Sequence, residues 1–132
     1  MRTVKLADGT QVPVLGQGTW EMGRRWFRRR REIAALKTGI DLGMVCIDTA
    51  ESYDDGGAER VVAEAIAGQR EQVFLVTKVS ADRATRAAIP EAVAATLRRF
   101  ATGVLDLDPL RWRGAVPLEE TLLGFASLQQ AG

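Results

Sequence analysis

The chain has 132 residues, 46% apolar and 27% charged, with a net charge of +1. These are ordinary globular values, and they exclude a protein that relies on a global basic field to hold nucleic acid or an anionic membrane. The length suits one domain, residues 1–132, with a core of its own.

The N-terminal residues Met1-Arg2-Thr3-Val4-Lys5 lack the apolar run of a signal peptide, and no stretch of bilayer-crossing length is free of charge. A cytoplasmic protein is therefore expected. Val4-Lys5-Leu6 and Val12-Pro13-Val14 flank the turn dipeptide Asp8-Gly9 and predict a hairpin. Leu15 to Trp20 is short, apolar and glycine-bearing, and predicts a strand with close backbone approach. The period then changes. Ile33, Leu36, Ile40 and Leu42 predict a helix closed by Gly43. Val45 to Ile47 predicts a short buried strand, and Cys46 within it a buried, inert thiol. Ala58, Val62, Ala65 and Ile66 form a second helical stripe. Val73 to Thr77 predicts another buried strand, and Ile89, Val93, Thr96, Leu97 and Phe100 a third helix. Val104 to Leu107 reads as the start of a further strand. Leu118, Leu122, Phe125 and Leu128 read as a fourth helical stripe, with Pro117 suited to its first turn. The order is a hairpin followed by four β-α units, which predicts a parallel sheet with crossover helices and strands buried on both faces.

In parallel β/α folds, chemistry sits at the carboxyl ends of the strands. Asp48, Lys78 and Arg111 follow three successive predicted strands, and Tyr53 lies five residues past Asp48. All four are expected on one rim. A free phenol is too weak an acid for proton transfer near neutral pH, and a neighbouring ammonium favours its phenolate. Lys78 would then tune Tyr53, Asp48 would anchor Lys78, and Tyr53 would protonate an alkoxide formed by hydride transfer to a carbonyl. Hydride chemistry calls for a nicotinamide or a flavin. With no histidine and one cysteine, no metal site is expected.

At these residues the chain closely resembles the aldo/keto reductase family. The resemblance runs through Asp8-Gly9-Thr10 with Val12-Pro13, Leu15-Gly16-Gln17-Gly18-Thr19-Trp20 and Gly39-Ile40-Asp41-Leu42-Gly43. It continues through Ile47-Asp48-Thr49-Ala50 with Tyr53, Gly57-Ala58-Glu59, Phe74 to Val79, and Leu105-Asp106-Leu107 followed by Trp112. It implies an α/β fold, a partial (β/α)8 TIM barrel of about four β/α units preceded by the N-terminal β-hairpin. It also implies NADPH-dependent reduction of an aldehyde or ketone. Tyr53 would be the acid, with Asp48 and Lys78 its support and Arg111 the fourth member of the catalytic set. Gly18, Thr19 and Trp20, with Asp48, would lie beside the nicotinamide, and Trp20 and Trp112 would line the substrate pocket.

Three departures from the family pattern stand out. Arg111 replaces the usual histidine and is bulky and always charged. Asp108-Pro109 replaces an apolar pair within a strand, which removes a ladder bond and buries a carboxylate. Four β/α units make half of a barrel. Asp54 also stands where the family has a glycine. Turnover is therefore expected to be impaired, and the alternative is a non-catalytic remnant or interaction module. A homodimer through the exposed strand edges would total about one barrel. The arginines of 24–31 read as a solvated loop and first helical turn rather than a nucleic-acid patch, since a helix start favours anions.

Overall fold

The computed structural model describes residues 2–131, so Met1 and Gly132, the outer ends of the expected domain, lie outside the described residues. β1 (Thr3–Lys5) pairs antiparallel with β2 (Gln11–Pro13) as the expected hairpin, with Val4 opposite Val12. The Asp8 side chain accepts from Thr10 N–H at 2.9 Å and holds the turn.

β3 (Gly16–Gly18), β4 (Cys46–Asp48) and β5 (Phe74–Val76) form a parallel sheet in the order β3-β4-β5. Gly18 pairs with Asp48, and Asp48 with Val76, so the three strands end level. α1 (Arg29–Asp41) crosses from β3 to β4, α2 (Gly57–Ile66) from β4 to β5, and α3 (Ala88–Phe100) follows β5. Leu36 and Ile40 of α1, Val61, Val62, Ala65 and Ile66 of α2, and Phe100 of α3 pack with Ile47 and Leu75 in one apolar cluster. Side chains this size cost about 2–5 kcal/mol when truncated to alanine. The arrangement is that of a partial (β/α)8 barrel. Among the described residues no helix is long and apolar enough to cross a membrane.

Four sequence expectations need correction. β3 is not buried on both faces: Gly16 and Gly18 are exposed, because β3 is the sheet's edge and pairs only with β4 among the described residues. Close approach does hold at Gly16, where a Cβ would lie 2.9 Å from the Cys46 carbonyl oxygen. Leu42 lies past the end of α1 and is exposed rather than part of its stripe. Val104–Leu107 forms no regular strand. Beside β5 it makes only the isolated parallel bridge Val76–Leu107, and a second, Val79–Leu110, follows past the end of β5. The path of a strand survives, since Thr77 N–H donates to Leu107 O and Val79 N–H to Pro109 O, both at 3.1 Å. The ladder is broken where Pro109 has no N–H to give. Asp106 Oδ2 instead accepts from Leu75 N–H and from Arg70 Nη2, each at 2.8 Å, and pins the segment to β5.

The fourth correction concerns α4 (Leu118–Ala131). Its buried positions are Thr121 and Gly124, while Leu118 and Leu122 are exposed and Phe125 and Leu128 are half-buried. Gly124 sets this orientation, because a Cβ there would lie 2.7 Å from Ile89 Cδ1. The missing side chain lets α4 settle against α3, and Thr121 Oγ1 donates to Ala84 O at 2.9 Å.

Beneath the sheet's carboxyl end lies a buried polar network. Glu59 of α2 is fully buried; its Oε1 accepts from Thr77 Oγ1 at 2.7 Å and Thr96 Oγ1 at 3.3 Å, and its Oε2 accepts from Arg99 Nε. Glu51, also buried, accepts from Ser80 N–H at 2.8 Å and Arg83 Nη1 at 2.9 Å. Asp108 faces this network without a cation of its own, and its buried Oδ1 has no hydrogen-bond partner. Burial, then the charges of Glu51 and Glu59, push its carboxyl up to about 7.

Two predictions follow from the network. Glu59→Ala leaves the Arg99 guanidinium without its buried partner and should destabilise by about 3–5 kcal/mol in urea unfolding. Asp108 binds its proton more tightly folded than unfolded, so its contribution to stability is full below pH ~4 and is lost as pH rises through about 7. Asp108→Asn should flatten the fall in stability across that window, by on the order of 4 kcal/mol at most. Identical pH profiles for the two proteins would contradict this.

Candidate active site at the carboxyl rim of the sheet

The level strand ends place the expected residues together. Asp48 is the last residue of β4, and Lys78 lies two residues beyond β5. Lys78 Nζ donates to Asp48 Oδ1 at 2.5 Å and to Thr49 O at 2.9 Å, tying the two strand exits to each other. Tyr53 sits in the turn between β4 and α2, and Lys78 Nζ lies 5.6 Å from the centre of its ring. That turn needs an uncommon backbone. Asp54, Asp55 and Gly56 all have positive φ, at 52°, 48° and 75°. Aspartate tolerates this region better than most side chains, and the requirement explains why a glycine would also serve at position 54.

Trp20 reaches Tyr53 because the loop after β3 packs backbone-to-backbone on the start of α2. Gly23, at φ +87°, makes this approach, and a Cβ there would lie 2.4 Å from the Gly57 carbonyl carbon. The rings of Trp20 and Tyr53 meet edge to face, with centroids 4.9 Å apart. Thr19 is fully buried and donates through Oγ1 to Asp48 O at 3.1 Å, which makes it a prop for the β4 exit.

Arg111 completes the cluster. Its backbone N–H donates to Val79 O at 3.0 Å, which fixes it beside the β5 exit although no regular strand precedes it. Its guanidinium carbon lies 4.3 Å from the Trp112 ring centre, 4.9 Å from that of Tyr53 and 5.5 Å from that of Trp20. Its Nη1 donates to Ser52 Oγ. All of Asp48, Tyr53, Lys78, Arg111, Trp20 and Trp112 therefore share one rim, with Gly18 and Thr19 at its β3 corner.

Cys46 occupies the opposite end of β4. It is free and half-buried, less enclosed than expected, and burial followed by the charges of Asp48 and Asp106 pushes its thiol up. It stays protonated and inert.

The β3 corner of the rim is open. A Cβ on Gly18 would meet no heavy atom within 4 Å, and the adjacent Trp20 is 64% exposed, so a flat ring has room over the β3 exit.

Sequence reasoning missed the support beneath the rim. Glu51, Arg83 and Ser80 brace the Tyr53 turn from below, and Ser52 holds Arg111. One signal was available for the companion residue Glu59: it lies three and seven residues before Val62 and Ile66, on the apolar stripe of α2, where a carboxylate must find buried partners.

Comparison with known proteins gives the family of the fold. The model of the Aldo/keto reductase family matches residues 14–132. Methylglyoxal reductase YeaE of Escherichia coli is 45% identical, over 99% of this chain and 46% of its own length. Aldo-keto reductase YhdN of Bacillus subtilis is 34% identical, over 100% of this chain and 44% of its own. An aldo-keto reductase from Klebsiella pneumoniae, crystallised with NADPH, superimposes with a TM-score of 0.94 at 46% identity, covering 99% of this chain and 46% of that one. The chain thus spans less than half the length of each of these three relatives. With a level parallel sheet, a lysine–aspartate pair beside a single tyrosine, and a family match over most of its length, this chain belongs to the aldo/keto reductase family.

Proposed function

We propose that the chain supplies the proton-donor half of an NADPH-dependent carbonyl reductase site acting on a small aldehyde or ketone. One observation carries the reading: Lys78 Nζ, held at 2.5 Å by Asp48, stands 5.6 Å from the ring of the only tyrosine in the chain. The relatives support it, since the Klebsiella pneumoniae protein was crystallised with NADPH and the Escherichia coli relative is named for methylglyoxal reduction.

In this reading, bound NADPH supplies a hydride to the carbonyl carbon. Tyr53 donates its hydroxyl proton to the carbonyl oxygen as negative charge develops there. Lys78 stabilises the phenolate that remains. Asp48 and Thr49 O hold the ammonium in place, so no reorganisation is needed at the moment of transfer. Gly18, Thr19, Trp20 and Asp48 form the nicotinamide corner, and Trp20 and Trp112 wall the substrate.

Turnover by the 132-residue chain alone is expected to be slow. Trp20 and Trp112 are 64% and 56% exposed and Tyr53 is only half-buried, so the acid is not sealed from water. The second reading, a non-catalytic role, is favoured by one feature: the uncompensated Asp108 lies in the segment that delivers Arg111.

NADPH titration should quench the tryptophan fluorescence of the chain, and the absence of any quenching at millimolar NADPH would eliminate the reductase reading. Where NADPH oxidation with a small aldehyde is measurable, Tyr53→Phe should lower it by about 100-fold or more while leaving NADPH affinity unchanged. A fully active Tyr53→Phe protein would remove Tyr53 from the chemistry.

A further inference from the structure

The mouth of the site carries a cation that the chain does not compensate. Lys78 is paired with Asp48, and Arg83 and Arg99 are paired with Glu51 and Glu59. Arg111 has no carboxylate partner among the described residues. The Ser52 hydroxyl and the rings of Trp20, Tyr53 and Trp112 hold it instead. Aromatic faces fix a guanidinium in position but cannot accept its in-plane N–H donors as a carboxylate does. A planar fork of donors, charged at every working pH, matches a carboxylate in a bidentate manner.

The position of this fork matters as much as its charge. The guanidinium carbon is 4.9 Å from the centre of the Tyr53 ring, so a carboxylate docked on Arg111 sets its neighbouring atoms beside the phenol. Lys78, already satisfied by Asp48 and Thr49 O, does not compete for it.

We propose that Arg111 makes this site select carbonyl compounds that carry a carboxylate next to the carbonyl, the 2-oxo acids. The guanidinium holds the carboxylate and presents the adjacent keto oxygen to Tyr53. This inference rests on the reading of Tyr53 as the proton donor. The reaction balances with NADPH as reductant. The keto carbon receives a hydride, the keto oxygen takes the Tyr53 proton, and a 2-hydroxy acid and oxidised nicotinamide result; Tyr53 recovers a proton from water. A neutral aldehyde of the same size gains nothing from the charge, so selectivity between the two classes resides in Arg111.

The test needs no turnover. Trp20 and Trp112 flank Arg111, so their fluorescence reports on its occupancy, and a Trp26→Phe background removes a tryptophan outside the cluster. Three probes are titrated into the full chain: oxamate, an unreactive 2-oxo acid analogue; methyl oxamate, the same skeleton without the charge; and inorganic phosphate. Oxamate should bind at least about tenfold more tightly than methyl oxamate or phosphate, as expected for a bidentate charged pair. Arg111→Gln should erase that preference. Arg111→Lys, which keeps the charge without the fork, should retain part of it and covers the case in which the glutamine variant is poorly folded. Equal binding of oxamate and methyl oxamate, an unaltered preference in Arg111→Gln, or phosphate as tight as oxamate would overturn the proposal. NADPH is titrated separately. Its failure to bind would sink the reductase reading while the oxamate preference stood, and loss of the preference with NADPH binding intact would do the reverse.

Discussion

A single buried carboxylate organises the part of this molecule on which the rest depends. Glu59 projects from the apolar stripe of α2 and collects hydroxyls from the β5 exit and α3, together with the Arg99 guanidinium. Three elements separated in sequence are thereby held at one point. Desolvating such a charge is tolerable only because every contact is made at once, and the geometry admits little slack. Glu51 repeats the device in the turn between β4 and α2, where it accepts from Ser80 N–H and Arg83 and braces the segment that carries Tyr53. The rim that carries Tyr53 and Lys78 therefore rests on a buried polar network rather than on loop conformation alone.

Above that floor, two cations flank one phenol and differ in their state. Lys78 is paired with Asp48 and stands beside the phenol ring. Arg111 is held by π-faces and a hydroxyl and has no carboxylate partner among the described residues. An imidazole would be smaller and would carry no permanent charge. A guanidinium both fills more of the mouth and raises its positive potential. In the reading proposed above, that exchange shifts the premium from a neutral carbonyl toward an anion beside Tyr53.

The segment that delivers Arg111 is also the least satisfied part of the fold. Pro109 removes a ladder donor, and Asp108 brings a third carboxyl toward Glu51 and Glu59 with no cation added to match it. What survives of the strand is held by Asp106, which bonds Leu75 N–H and Arg70. The register at the rim is kept because the ladder resumes at Val79 and Arg111. Local irregularity and a preserved active-site position are compatible when pairing is restored at the end that matters.

Much of this was legible in the letters. The change from period two to period three to four placed β4, β5 and the first three helices to within a few residues, because each has one strongly preferred face. The spacing of Asp48, Tyr53 and Lys78 relative to those strands named the rim, since level parallel strands leave no other place for their exits. Three features were not legible. The stripe of α4 was misplaced because Gly124, which contributes no hydrophobicity, decides its packing through contact with Ile89. The fourth strand was overcalled because an apolar run does not reveal whether a ladder can form across Asp108-Pro109. The Glu51 and Glu59 network was missed because a charged residue in a sequence carries no mark of burial. The sequence by itself determined the order of elements and which side chains meet at the carboxyl rim, both of which depend on local periodicity and strand direction. Only the tertiary structure decided which charges are paired and which, like those of Arg111 and Asp108, are not, because compensation depends on distances between residues far apart in the chain.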